Sequence, residues 1–151
     1  AGGMSTMARV GDGSGCLDPN TYCVSAVNST GGGASIGWQG STSIAQNDLV
    51  LTVDGCPPGN PGIFFFGMFQ TQIAFGEGYL CVTGNQHRLR PVLFCDPNGS
   101  ASLALDFSDP TSPLSLIAPG SSWNFQFWYR DPQPVGHGFN LSDALHAQFC
   151  P

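Results

Sequence analysis

The chain contains no lysine, and its only cations are Arg9, Arg88, Arg90 and Arg130. With a formal net charge of −6, it has no sequence-wide attraction for phosphate backbones, so nucleic acid is not an expected partner. Anionic lipid surfaces are disfavoured for the same reason. Charged residues make up only 9% of the chain, which leaves self-repulsion weak and makes side-by-side association cheap. No apolar run is long enough to span a bilayer: the longest, residues 63–69, is interrupted by Gly67, so no membrane insertion is expected. No stretch of helical period exceeds two turns, and no Cys-x-x-Cys pair, Gly-x-Ser-x-Gly elbow or secretory leader is found. A first residue of Ala rather than Met fits a chain trimmed on export.

What is abundant is glycine, proline and aromatic side chains: 21 Gly, 12 Pro and an aromatic fraction of 11%. Many short strands joined by Gly/Pro turns are the natural outcome of that mixture, and the apolar content argues against disorder. The sequence centres on residues 123–130, where Trp123, Phe125, Phe127 and Tyr129 alternate with Asn124, Gln126, Trp128 and Arg130. Side chains alternate across a strand, so this stretch reads as a half-buried β-strand with an aromatic face inward. Burying four such rings is worth roughly 6–12 kcal/mol gross.

Further strands are expected at residues 22–27, 34–39, 49–53, 63–69, 72–75, 78–82, 92–94, 101–105 and 144–149, separated by turn signals such as Asn28-Ser29-Thr30-Gly31 and Asp96-Pro97-Asn98-Gly99. The second of these reads as a hairpin turn. The expected fold is all-β: an antiparallel two-sheet β-sandwich of Greek-key, immunoglobulin-like type, with a closed barrel as the alternative. Residues 1–20 form a Gly-rich arm, either pinned through Cys16 or lying on a neighbouring subunit, and residues 21–151 form a single domain.

Six cysteines, Cys16, Cys23, Cys56, Cys81, Cys95 and Cys150, lack zinc-ligand spacing and imply disulfides in an oxidising compartment. Six cysteines allow fifteen pairings, and spacing alone does not choose among them. No cofactor or metal is expected. Asp96-x-Asn98-Gly99-Ser100 resembles the start of a calcium loop, but Phe107 stands where the bidentate glutamate would be. Loop aspartates Asp48, Asp106, Asp109 and Asp143, scattered in sequence, could still assemble a Ca²⁺ site between strands. His137, near Asp131 in a loop after the aromatic strand, could sketch a catalytic dyad, but a polar loop residue is the plainer reading. His87 beside Arg88 and Arg90 reads as a solvated strand end. The glycosylation sequons at Asn28, Asn98 and Asn140 fall in Asn/Ser-rich turns that generate the pattern by accident. Trp128, flanked by Gln126 and Arg130, is the candidate for glycan stacking. The competing reading is a Trp128 covered by other parts of the fold, as large aromatics usually are.

Several strings occur together in a recognisable order: Tyr22-Cys23, Asn47-Asp48-Leu49-x-Leu51, Pro57-Pro58-Gly59, Leu80-Cys81-Val82, residues 123–131, and Phe139-Asn140-Leu141-Ser142-Asp143. Over about residues 21–151 the chain resembles a C-terminal module of large secreted proteins of planctomycetes and related marine bacteria, a family without assigned chemistry. The resemblance implies secretion or a cell-surface location, and it implies that Cys23 pairs with Cys81. Together these readings predict a non-catalytic extracellular structural or adhesive protein that self-associates or binds another surface protein, forming a layer or filament. Removal of residues 1–15 is then expected to disperse the particles. The alternative is polysaccharide binding through Gln126, Trp128 and Arg130, and a hydrolase ranks third.

Overall fold

The computed structural model describes residues 16–151; most of the Gly-rich arm therefore lies outside the described residues. Among the described residues ten strands form: β1 (Asn20–Tyr22), β2 (Ser35–Gln39), β3 (Val50–Asp54), β4 (Pro61–Gly67), β5 (Phe69–Phe75), β6 (Gly78–Thr83), β7 (His87–Phe94), β8 (Ala101–Ala104), β9 (Ser122–Arg130) and β10 (Phe139–Gln148). A 3₁₀ turn at Pro113–Leu116, capped by the Ser112 side chain, is the only helical element among the described residues. The all-β, antiparallel expectation holds. The strands make three sheets, ordered β1-β10-β9-β4-β7, β2-β3-β8 and β5-β6, and every strand pair in them is antiparallel.

β9 is the central strand of the large sheet, but it is not half-buried. Its odd residues enter the main core, where Phe125, Phe127 and Tyr129 meet Phe64 and Phe66 of β4 and Leu51 and Val53 of β3. Phe64 and Phe127 pack with centroids 4.7 Å apart, and Phe66 lies 5.6 Å from Phe125. The even face is closed over Asn124 and Gln126 as well, because a second core of Phe65, Cys81, Val82, Leu141 and Ala144 forms where β6 lies over that end. Asn124 and Gln126 are buried. Their amides hydrogen-bond inside the protein instead of facing water, which is why alternating polarity misstates this strand's exposure.

β4 behaves as expected for residues 63–69: Phe64 and Phe66 point into one core and Phe65 into the other, and the chain then leaves the sheet to start β5. Gly62 is needed where it stands, since a Cβ there would run into the Phe127 ring.

Two expectations about local structure are corrected. The strand expected at 22–27 stops at Tyr22, because Cys23 takes a left-handed φ of 70°. The Asp96–Gly99 turn does form, with Gly99 N–H donating to Asp96 C=O at 2.8 Å and Asn98 and Ser100 N–H donating to its carboxylate. It is not a hairpin, however: β7 and β8 belong to different sheets.

Three disulfides, Cys16–Cys150, Cys23–Cys81 and Cys56–Cys95, leave no free cysteine among the described residues. They are compatible with an extracellular setting. Among the described residues no helix is long and apolar enough to cross a membrane.

Candidate functional site

The β5–β6 hairpin covers only part of the outer face of the large sheet. Gln126 fixes it there: its Oε1 accepts Cys81 N–H at 2.9 Å and its Nε2 donates to Tyr79 C=O at 2.8 Å, while a second Nε2 bond, to Ser142 C=O of β10 at 2.7 Å, anchors the amide in the sheet. Tyr22 adds a bond from its hydroxyl to Cys81 C=O at 2.8 Å, and burial raises the pKa of that phenol. Beyond the hairpin, toward the β7 edge, a groove of about 830 Å³ opens. Its apolar lining includes Phe65, Phe75, Trp128 and Phe139, and Arg88 and Arg130 bring charge to it.

Trp128 is half-buried. Its indole packs 5.4 Å from the Phe139 ring, and the Arg130 guanidinium lies 4.8 Å from its centroid, a cation–π distance. Of the three residues expected to hold a glycan, Trp128 and Arg130 therefore meet in the groove. Gln126 does not: it is fully buried and spends its amide on clamping the hairpin. Alternation put Gln126 on the same face as Trp128, and that face is covered at one end and open at the other.

His87 differs from the expected solvated strand end: it is half-buried, with its ring 5.3 Å from Phe66. Arg88 is exposed and lines the groove. Phe75, Val92 and Phe139 were not singled out by sequence. Their meeting depends on how a distant hairpin docks, and no local pattern carries that information.

The other candidates disperse. His137 is exposed, and its ring pairs with Glu77, Nδ1 to Oε2 at 2.6 Å, rather than with Asp131. The contact holds the Glu77 carboxyl below its usual pKa. Asp131 is buried, accepting Ser29 N–H at 2.8 Å and the Gln133 amide at 3.0 Å. His146 Nδ1 lies 2.8 Å from Asn124 Oδ1. Among the described residues no histidine ring hydrogen-bonds a hydroxyl, and no group of three or more His, Cys, Asp and Glu could hold a metal ion. Asn28 and Asn140, two of the sequon asparagines, are buried: Asn28 Nδ2 donates to Gly55 C=O and to the Tyr129 hydroxyl, and Asn140 Nδ2 donates to Val27 C=O. Burial pushes the Tyr129 phenol up to about 12.

A second surface stands out on β5. Phe69, Ile73 and Phe75 are 59%, 55% and 44% exposed, the strand carries no charged residue, and among the described residues it pairs only with β6. No family model, no curated protein and no solved structure matches the chain.

Proposed function

We propose that this chain is an extracellular, disulfide-linked β-sandwich with a structural or adhesive rather than catalytic role, and that copies associate through strand β5. The observation that carries this reading is the character of β5: an edge strand with exposed Phe69, Ile73 and Phe75 and no charge to deter pairing. Natural proteins usually blunt such edges with lysine, proline or a covering loop, and an unblunted edge is a template for another chain. Two of the sheets share the main core, which suits a sandwich. The three bridges and the resemblance to a secreted module favour export.

The test is light scattering coupled to size exclusion, with negative-stain imaging, on the intact chain and on Ile73→Lys. The side chain of Ile73 is exposed, so the substitution is expected to leave the fold alone. The intact chain is expected to run as an assembly and the variant as a species near 15.8 kDa. An intact chain that is already monomeric at high concentration refutes this reading.

A second reading, saccharide binding, is favoured by one observation: Trp128 and Arg130 stand together in an open groove of ligand size. It predicts that Trp128→Ala lowers retention on polysaccharide at unchanged melting temperature.

A further inference from the structure

The groove differs in charge from the rest of the molecule. The chain carries −6 overall and only four cations. Two of those cations, Arg88 and Arg130, line the groove, and among the described residues no Asp or Glu does. Neither guanidinium makes an ion pair or a hydrogen bond with any group among the described residues; the single ion pair among them joins His137 to Glu77. Each arginine thus presents donors that nothing among the described residues uses, in a fork that matches a carboxylate or sulfate.

The position of Arg130 also alters what Trp128 can do. An indole with a guanidinium 4.8 Å from its centroid is no longer a bare stacking platform. Instead the ring orients the guanidinium, which becomes the group a ligand meets first. Apolar surface for the ligand's body comes from Phe75, 44% exposed, and Val92, 47% exposed.

The two arginines come from strands on opposite sides of β4. Arg88 lies opposite Phe65 on one side of β4, and Tyr129, the residue before Arg130, lies opposite Gly62 on the other side. That sets their backbone positions about 10–13 Å apart along the strand direction. A chain with anionic groups spaced along it can meet both.

We propose that this groove binds an anionic saccharide, an oligomer whose sugar rings carry carboxylate or sulfate groups, with Arg130 and Arg88 each engaging one such group. The inference rests on the saccharide reading above and narrows it to acidic sugars. Charge complementarity is what selects this occupant over a neutral glycan.

The experiment titrates the intact chain by calorimetry with three hexasaccharides: an oligogalacturonate, a heparin-derived sulfated oligomer and a cello-oligomer. One or both acidic oligomers are expected to bind saturably, more weakly as salt is raised, and the neutral one not to bind. The arm that binds tells carboxylate from sulfate recognition. Arg130→Gln and Arg88→Gln are each expected to weaken binding by about tenfold or more, the loss of one charge-assisted contact. Arg90→Gln, exposed on the same strand but outside the groove, should change it by less than about twofold. All three positions are exposed, so melting temperatures should coincide. Equal losses at Arg90 and Arg130 would mean diffuse attraction and overturn the proposal. So would a neutral oligomer that binds as tightly as the acidic ones, is lost in Trp128→Ala and is indifferent to Arg130→Gln, an outcome that leaves the plain saccharide reading intact. Absence of saturable binding to every oligomer overturns both.

Discussion

At the scale of single residues, the side chains that matter most are polar ones that the fold has taken out of water. Asp143 sits in the β10 bulge between Leu141 and Ala144, where the shift in register turns it toward β2; its Oδ1 accepts Ile36 N–H at 2.8 Å. Burial raises its carboxyl pKa above the ordinary 3.8, with the hydrogen bond from Ile36 opposing less strongly. A carboxyl whose folded pKa is raised holds its proton more tightly in the folded chain than in the unfolded one. Its contribution to stability is therefore greatest below the ordinary carboxylate range and declines as pH rises through the raised value. Asp143→Asn keeps the acceptor and removes the charge. The variant is expected to melt above the parent at neutral pH, with the gap closing as the buffer is acidified toward the ordinary carboxylate pKa. A variant that melts lower at neutral pH would mean that the hydrogen bond to the charged form outweighs its burial. Little of this was legible beforehand. Asp143 read as a loop aspartate, because nothing in Asn140-Leu141-Ser142-Asp143 announces a bulge. The buried role of Gln126 did leave a trace: the partners of the aromatic residues at 124 and 126 are amides, which can be satisfied inside a protein, whereas the one charged member, Arg130, is the one left exposed.

The element that shapes the groove is the β5–β6 hairpin. Two strands alone are marginally stable in water, so this hairpin depends on what holds it to the sheet. It is held by two of the bonds of Gln126, to Cys81 and Tyr79, by the Tyr22 hydroxyl and the Cys23–Cys81 bridge, and by bonds from Gln70 to Asn124 and from Glu77 N–H to Phe139 C=O. Replacing Gln126 by Leu preserves bulk but strands Cys81 N–H and the carbonyls of Tyr79 and Ser142, and the expected loss is about 3 kcal/mol. Hydrogen exchange separates local from global effects: amides of β6 should exchange much faster in the variant, while those of β9 and β4 keep their order of protection. A uniform drop across all strands would mean that the hairpin is not a separately docked unit. Both strands could be read from sequence, since Gly76-Glu77 marks the turn between them. Where the hairpin lands could not be read, because its contacts with residues 22, 23 and 126 lie far away along the chain.

At the scale of the whole molecule, the chain keeps leaving one sheet for another, so sequence neighbours are often not sheet neighbours. β3 and β8 pair although β4 to β7 lie between them, and β4 pairs with β9. The Asp96 turn is one such crossing. Its local hydrogen bonds would be the same in a hairpin, which is why its residues cannot distinguish the two. Cross-links suit this arrangement, because each non-local pairing costs loop-closure entropy that a bridge partly removes from the unfolded state. Cys56, just after β3, and Cys95, just after β7, join the ends of strands from two sheets across 39 residues, and both are buried. The chain-entropy relation gives about 4 kcal/mol for a loop of that length. Cys23–Cys81, spanning 58 residues, comes out near the same value, about 4 kcal/mol. The two bridges nevertheless differ in what they hold. Removing the first as a Cys56→Ala/Cys95→Ala pair should lower the denaturation midpoint while leaving acidic-sugar binding unchanged below that midpoint. Removing the second as a Cys23→Ala/Cys81→Ala pair should cost similar stability and also weaken that binding, because the freed hairpin carries Phe75 and Leu80 out of the groove wall. Urea titrations of both pairs beside the parent, followed by sugar titration in buffer, decide it. If both pairs lose equal stability and equal affinity, the hairpin is held by the sheet alone, and its bridge does not set the shape of the groove.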